Sequence, residues 1–367
     1  MTPTPPGRLR KAGHRARRIA GRIRSAPQLE AEAVALRGRV QELELNANHL
    51  ATRLHIAEHT VRRFEEVGLR IHEAADPEAF ARWLTWRSPG HFYSPIPNLR
   101  ELEKQADALW QVDPPAELPG IDLRADEQLA TFSQVAKLAR SSQEINEHPT
   151  EPWRYYSDNV AYGVGDALTL HGMLRLIRPR RLIEIGSGHS SAMMLDTVEH
   201  YVGGKTELTF IEPYPELLES LLRNGDRERI TIVPTPLQQV PLDTFRALEP
   251  GDVLFIDSTH VLKTGSDVAW LYANVLPSLE AGVWIHIHDM FYPFEYPKEW
   301  VMEGRAWSEV YVVRAFLEFN TDFEIVLFNS WLAHFHRDRI EAELPPMLAN
   351  PGGALWLRRS RKSDQGR

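Results

Sequence analysis

Between Arg181 and Ser330 short, strongly apolar runs alternate with stretches of amphipathic spacing, and no internal repeat is visible. The apolar runs are RLIEIG (181–186), ELTFIEP (207–213), RITIVPT (229–235), DVLFIDS (252–258), GVWIHIHD (282–289) and FEIVLFNS (323–330). Helical patterns fall at 157–177, 190–202, 215–224, 264–279 and 303–320. Short strands of this kind, alternating with amphipathic helices, form parallel sheets covered on both faces. The pattern therefore predicts an α/β fold with a mostly parallel, doubly wound sheet. In such a sheet ligands sit at the carboxyl ends of the strands.

The residues before this alternation read differently. Residues 1–27 form a basic arm with eight Lys or Arg residues (Arg8 to Arg24) and no acid before Glu30. Since the whole chain of 367 residues carries a net charge of −8, the remainder is strongly acidic. That balance argues against nucleic acid as a partner of the main domain, though the arm suits an anionic partner. From Leu29 to Phe64 apolar residues recur at alternating steps of four and three, beginning Leu29, Ala33, Leu36, Val40 and Leu43. This predicts a coiled-coil helix over 28–67 that joins copies into a homo-oligomer, with its seam at 28–66. The alternative is a single amphipathic helix lying on the main domain. Pro27 breaks any continuous helix from the arm into the heptads, which argues against a DNA-binding zipper. Residues 68–150 read as an accessory region, with Pro-rich loops at His91–Leu99 and Val112–Gly120 and a helix near Asp126–Arg140. The main domain is expected over 151–360.

No stretch reaches the ~20 apolar residues of a membrane span. The absence of Cys excludes disulfides, thiolate metal sites and a Cys nucleophile. It fits a reducing compartment, so a cytoplasmic location is expected.

RLIEIGSGHSS (181–191) is the most informative stretch. The strand ends on Gly186, Gly188 lets the backbone approach a ligand, and Ser190 or Ser191 can cap the following helix. The third glycine of a dinucleotide fingerprint is missing, with Ser191 in its place, and no P-loop Lys follows. What remains is Glu184, the Gly-Ser-Gly turn, and a second acid, Glu212, at the end of the next strand. An acid in that position can accept both hydroxyls of a ribose.

This combination resembles the class I S-adenosylmethionine-dependent methyltransferases over roughly residues 150–335. EIGSGHSS, FIDSTH and HIHDMFYPFEYP look closest to bacterial macrocin-O-methyltransferase-like enzymes acting on small molecules. The resemblance implies a Rossmann-like fold and S-adenosyl-L-methionine as cofactor. Glu184, Gly186, Ser187 and Gly188 would line its methionine part, and Glu212 would hold its ribose. The acid that often contacts the adenine amine is missing from TPLQQVP, and Gln238 would take its place.

Four more polar residues fall at the same strand ends. FIDSTH supplies Asp257 and His260, and HIHD supplies His288 and Asp289. A hydroxyl is a poor nucleophile, so methyl transfer to oxygen calls for a positioned base or a divalent cation. Asp257 and Asp289 offer hard oxygen ligands for Mg²⁺, and family members carry metal-binding carboxylates at these ends. His260 is the expected base and His288 its support; His286, deeper in the strand, is expected to be a hydrogen-bonded core residue. Asp257 could instead simply cap the next segment of a metal-free enzyme. Tyr156, Asn159 and Asp166 are candidates for a cover over the cofactor. FYPFEYPKEW (291–300) and HFYSPIP (91–97) are candidate walls of an acceptor site. Two other readings use the same residues. In one, Asp257, His260, His288 and Asp289 form a metal-dependent hydrolase site, although HIHD lacks the usual HxHxDH spacing. In the other, the protein is a non-enzymatic coiled-coil scaffold.

Overall fold

The computed structural model describes residues 90–111, 113–141 and 145–360, together with Leu36. The chain divides into two compact units, 1–88 and 89–367. The basic arm and, but for Leu36, the coiled-coil segment lie outside the described residues. The second unit begins well before the expected start at residue 151.

Seven strands form one sheet: β1 (Arg181–Ile185), β2 (Glu207–Ile211), β3 (Ile230–Val233), β4 (Val253–Ile256), β5 (Trp284–Ile287), β6 (Phe323–Phe328) and β7 (Leu355–Arg359). Their order is β3-β2-β1-β4-β5-β7-β6. The first five run parallel, and β7 is antiparallel to both its neighbours. The central strands are apolar because both faces are covered; all four residues of β4 are buried. The sequence pattern predicted the first six strands and missed β7.

Helix α1 (Ala125–Arg140) turns a stripe of Phe132, Val135, Ala136 and Ala139 into the core. Its first turn carries Asp126 and Glu127 and its last turn Lys137 and Arg140, which complements the helix dipole. Truncating Phe132 to Ala there would cost about 3–5 kcal/mol. Helix α2 (Val164–Ile177) is apolar nearly all round and buried from Gly165 to Leu174. Gly172 lets the two helices touch: a Cβ there would lie 2.6 Å from Val135 Cγ1. The helix expected over 157–177 thus starts seven residues later, after a loop. The accessory helix is built into the same core as the sheet.

The order of strands reverses direction between β1 and β4. Backbone ladders continue one residue past the strands there. Gly186 N–H donates to the Ile211 carbonyl, Asp257 N–H to Ile185 and His288 N–H to Ile256. Gly186, Glu212, Asp257 and His288 therefore stand in one row along the carboxyl edge, at the point where an open α/β sheet leaves a crevice.

Candidate active site

The glycine loop is fixed from below. Gly186 has φ +78°, and a Cβ on it would lie 2.0 Å from the Asp257 carbonyl oxygen, so no other residue fits. Helix α3 (His189–Thr197) follows with Gly188 at its N-cap. The expected Ser caps are only partly realised. Ser191 Oγ accepts from the Gly188 N–H at 3.0 Å. Ser190 instead donates to Glu184 Oε1 at 2.6 Å, and Ser191 also donates to Glu184 Oε2. Glu184 is fully buried, and burial pushes its carboxyl up to about 8 against the pull of the two hydroxyls. It lies beneath the loop as its anchor.

Glu212 closes the other side. Its carboxylate accepts from Ser187 N–H at 3.2 Å and from Tyr214 N–H at 2.8 Å, which aims it across the loop. A cleft of about 400 Å³ opens here, lined by Gly186, Glu212, Gln238, Asp257 and, unforeseen from the sequence, Lys263 and Asp267. That is the size of an ordinary small-ligand site. Gln238 reaches across its mouth and donates to the Gly265 carbonyl at 2.7 Å. The Ser187 hydroxyl is buried without a partner, an unmet polar group inside the loop.

The second group of predicted residues does converge. His260 Nε2 stands 3.4 Å from Asp257 Oδ1 and 3.5 Å from Asp289 Oδ2, and His288 Nε2 is 3.5 Å from Asp289 Oδ1. A residue the sequence did not single out completes the cluster. Glu309, at the start of helix α4 (Glu309–Leu317), is fully buried and takes His260 Nδ1 at 2.9 Å, Ser258 Oγ at 2.6 Å and Tyr272 OH at 3.2 Å. Its signal was a lone acid on the buried face of an apolar stripe, with Val310, Val313 and Leu317.

Charge follows from this geometry. Burial alone would lower the His260 value, but Asp257 and Glu309 outweigh it and hold the ring at about 10. Its Nδ1 meets Glu309 and its Nε2 faces Asp257 and Asp289, so all three acids favour the charged form of the ring. Burial would raise the Asp257 carboxyl, yet His288 and His260 overcome it and hold it below the ordinary range. Asp289 goes the other way, because burial outweighs its two imidazole neighbours and raises it. For His288 burial is overcome by Asp289, Asp257 and Asp166, so its value is raised.

As a metal site the cluster falls short of expectation. Among the described residues no group of three or more His, Asp or Glu side chains is disposed to hold an ion. His260 Nε2 lies between the two carboxylates named as candidate ligands, 3.4 Å from Asp257 and 3.5 Å from Asp289. His286 is a core residue as expected, but not a hydrogen-bonded one. Both ring nitrogens lack a partner, the ring stacks on Phe255 with centroids 3.9 Å apart, and burial holds its value well below 6.5.

The other candidates serve the scaffold. Asn159 ties its own loop by bonding Tyr156 and Tyr162 carbonyls and the Ala161 and Tyr162 N–H groups. Tyr156 meets His189 edge-on. Asp166 is buried, accepts from Asn329 and the Gly353 N–H, and is pushed up to about 6 by burial. Part of the 291–300 loop, including Phe291, Glu295 and Pro297, lines a groove of about 800 Å³ together with Trp110, Pro115 and Pro119.

Residues 183–290, from β1 to just past β5, match a family described as a methyltransferase domain. A protein of uncharacterised function from Archaeoglobus fulgidus is 34% identical over 168 residues, covering 44% of this chain and 73% of its own. Solved structures align more loosely. The O-methyltransferase TomG from Streptomyces achromogenes, in complex with SAM, is 15% identical over 71% of this chain and 96% of its own, with a TM-score of 0.35. A putative O-methyltransferase from Klebsiella pneumoniae is 16% identical over 67% and 93%, with a TM-score of 0.34. Superpositions this loose do not bear on function. The domain match spans the glycine loop, Glu212 and Asp257, the residues that build the cleft at the sheet's reversal point, and this chain belongs to the class I S-adenosylmethionine-dependent methyltransferases.

Proposed function

We propose that the protein transfers the methyl group of S-adenosylmethionine to a hydroxyl of a small molecule or sugar, in the manner of the macrocin-type enzymes its sequence resembles. One observation carries this reading. Asp257 lines the cofactor cleft and also contacts His260, so the cleft and the His/Asp cluster share a wall. The residues present suit the cofactor: a loop with no room for a Cβ, an unpartnered buried hydroxyl on Ser187, and a carboxylate aimed across the opening.

In this reading the Gly186–Ser187–Gly188 backbone runs along the methionine part. Glu212 accepts the ribose hydroxyls, Gln238 borders the adenine, and Glu184 supports the loop from beneath. The cofactor supplies a methyl on a sulfonium, whose leaving group is a neutral thioether. The protein's share is alignment and proton removal. The acceptor oxygen forms the new bond to carbon while the old carbon–sulfur pair stays with sulfur. The hydroxyl proton goes to Asp289, a carboxylate already raised by burial and partly open to the site. His260 and His288 steady that carboxylate.

Transfer of label from methyl-labelled S-adenosylmethionine to a panel of sugars, phenols and amines tests this. Label should appear on hydroxyl acceptors. Asp289→Asn should lower kcat by about 10²–10⁴ with S-adenosylhomocysteine affinity unchanged. Label found only on amines would refute the assignment to oxygen.

A further inference from the structure

We propose that a pocket between residues 90–100 and the 301–306 turn receives an anionic group of the methyl acceptor, a phosphate or a carboxylate, with Arg100 and Arg305 as its donors. This rests on the O-methyltransferase reading and deepens it, because it makes the acceptor an acidic molecule.

The pocket has a volume of about 440 Å³, enough for a small ligand. Its lining carries two charges, Arg100 and Arg305, and no acid. On one side Gly90 N–H donates to the Ile96 carbonyl at 3.0 Å, which closes the loop that forms the wall. On the other, Gly304 turns the chain at φ +94°, and no atom lies within 4 Å of where a Cβ would be, so the backbone there borders open space. Asn98 accepts from Arg100 N–H through Oδ1 at 3.1 Å. Its NH₂ and the exposed Arg100 guanidinium have no partner among the described residues.

Arg305 is held mainly by stacking. Its guanidinium lies 4.4 Å from the ring centroid of Trp300 and 5.2 Å from that of Trp307, and the two rings cross at 81°. Its backbone N–H donates to the Trp300 carbonyl at 3.2 Å. Stacking occupies the face of a guanidinium and leaves its N–H fork in the plane, where a carboxylate or phosphate accepts two bonds at once. One nitrogen, Nη2, meets Glu303 at 3.3 Å, a partly exposed contact that solvent screens, so this acid does not occupy the fork. Trp307 also lies against His260, with ring centroids 4.5 Å apart. Trp300 meets Phe291, two residues beyond Asp289, edge-on at 5.2 Å. The same two indoles therefore join the wall of the pocket to the cluster that takes the acceptor proton. An acceptor anchored by its anion at Arg305 presents its hydroxyl on that side.

The test is calorimetric titration of the full chain, saturated with S-adenosylhomocysteine, with glucose 1-phosphate, glucuronate and 4-hydroxybenzoate. Glucose and phenol are the neutral counterparts. Wild type, Arg305→Gln and Arg100→Gln are compared; Arg100 is exposed, so its replacement leaves the packing as it is. We expect at least one anion to bind wild type at least tenfold more tightly than its neutral counterpart. Each variant should lose at least fivefold of that margin, with S-adenosylhomocysteine affinity unchanged. Preference for glucose 1-phosphate assigns the pocket to a phosphate, and preference for glucuronate or 4-hydroxybenzoate assigns it to a carboxylate. Equal affinity for charged and neutral compounds, no binding of any anion at millimolar concentration, or anion affinity unchanged in either variant would overturn the inference while leaving the methyltransferase reading intact. Failure of wild type to bind S-adenosylhomocysteine would instead overturn the methyltransferase reading.

Discussion

Glu184 makes stability depend on pH in a direction opposite to most carboxylates. Its folded value is about 8, against an ordinary value of 4.5. Between those values the folded protein holds a proton that the unfolded chain has lost, so the folded state loses ground as pH rises. The stability that the protonated carboxyl contributes is fully present below pH 4.5 and is lost progressively up to pH 8. Each pH unit costs about 1.4 kcal/mol, or about 3 kcal/mol by pH 7. Glu184→Gln keeps the shape of the neutral acid without the titration: its amide oxygen can accept from one serine hydroxyl, and its NH₂ replaces the acid proton as donor to the oxygen of the other. The variant should therefore match wild type near pH 5 and exceed it at higher pH. For a domain of this size the gap in Tm should grow by roughly 6–12 °C between pH 5 and 7. Thermal unfolding of both proteins at half-unit steps from pH 5 to 8.5 measures this. A gap that stays constant over that range would show that Glu184 is ionised in the folded protein, and the buried anchor beneath the glycine loop would be wrong.

His286 should act with the opposite sign. Buried and neutral, it cannot take the proton that the unfolded chain takes below 6.5, so stability falls as pH falls. His286→Leu should remove that dependence, and its advantage over wild type in urea unfolding should grow by about 1 kcal/mol per unit from pH 6.5 to 5. An advantage independent of pH would contradict this. Gly186→Ala should weaken S-adenosylhomocysteine binding at least tenfold with an unchanged circular dichroism spectrum. The new Cβ meets the Asp257 carbonyl at 2.0 Å and must displace the loop; unchanged affinity would show that the loop does not touch the cofactor.

Much of the fold was legible because β1 to β6 are short apolar runs whose boundaries are marked by Gly, Pro or charge. Strand β7 was not, because LWLRR is half polar and its meaning lies in pairing. It fits antiparallel between β5 and β6, which sequence order does not suggest. The glycine loop and its two acids were legible from spacing. The direction of their hydrogen bonds was not: Glu184 reads as a cofactor contact but is held under the loop by Ser190 and Ser191. The cluster of Asp257, His260, His288 and Asp289 was legible as a convergence of strand ends, while the acid that holds His260 Nδ1, Glu309, lies 49 residues away in sequence. His260 and Asp289 both adopt left-handed backbone conformations, φ +59° and +56°, that no residue pattern announces. Each costs about 1–2 kcal/mol, and both sit where the chemistry is placed.

The most direct test of the account is calorimetric titration of S-adenosylhomocysteine into wild type and Glu212→Ala. The carboxylate that spans the glycine loop should contribute one or two charge-assisted hydrogen bonds, about 1.5–3 kcal/mol each. The account predicts saturable one-site binding to wild type, weakened at least tenfold in the variant. Equal affinity in both would place the cofactor away from the cleft between Gly186 and Glu212, and no binding to wild type would contradict the central claim.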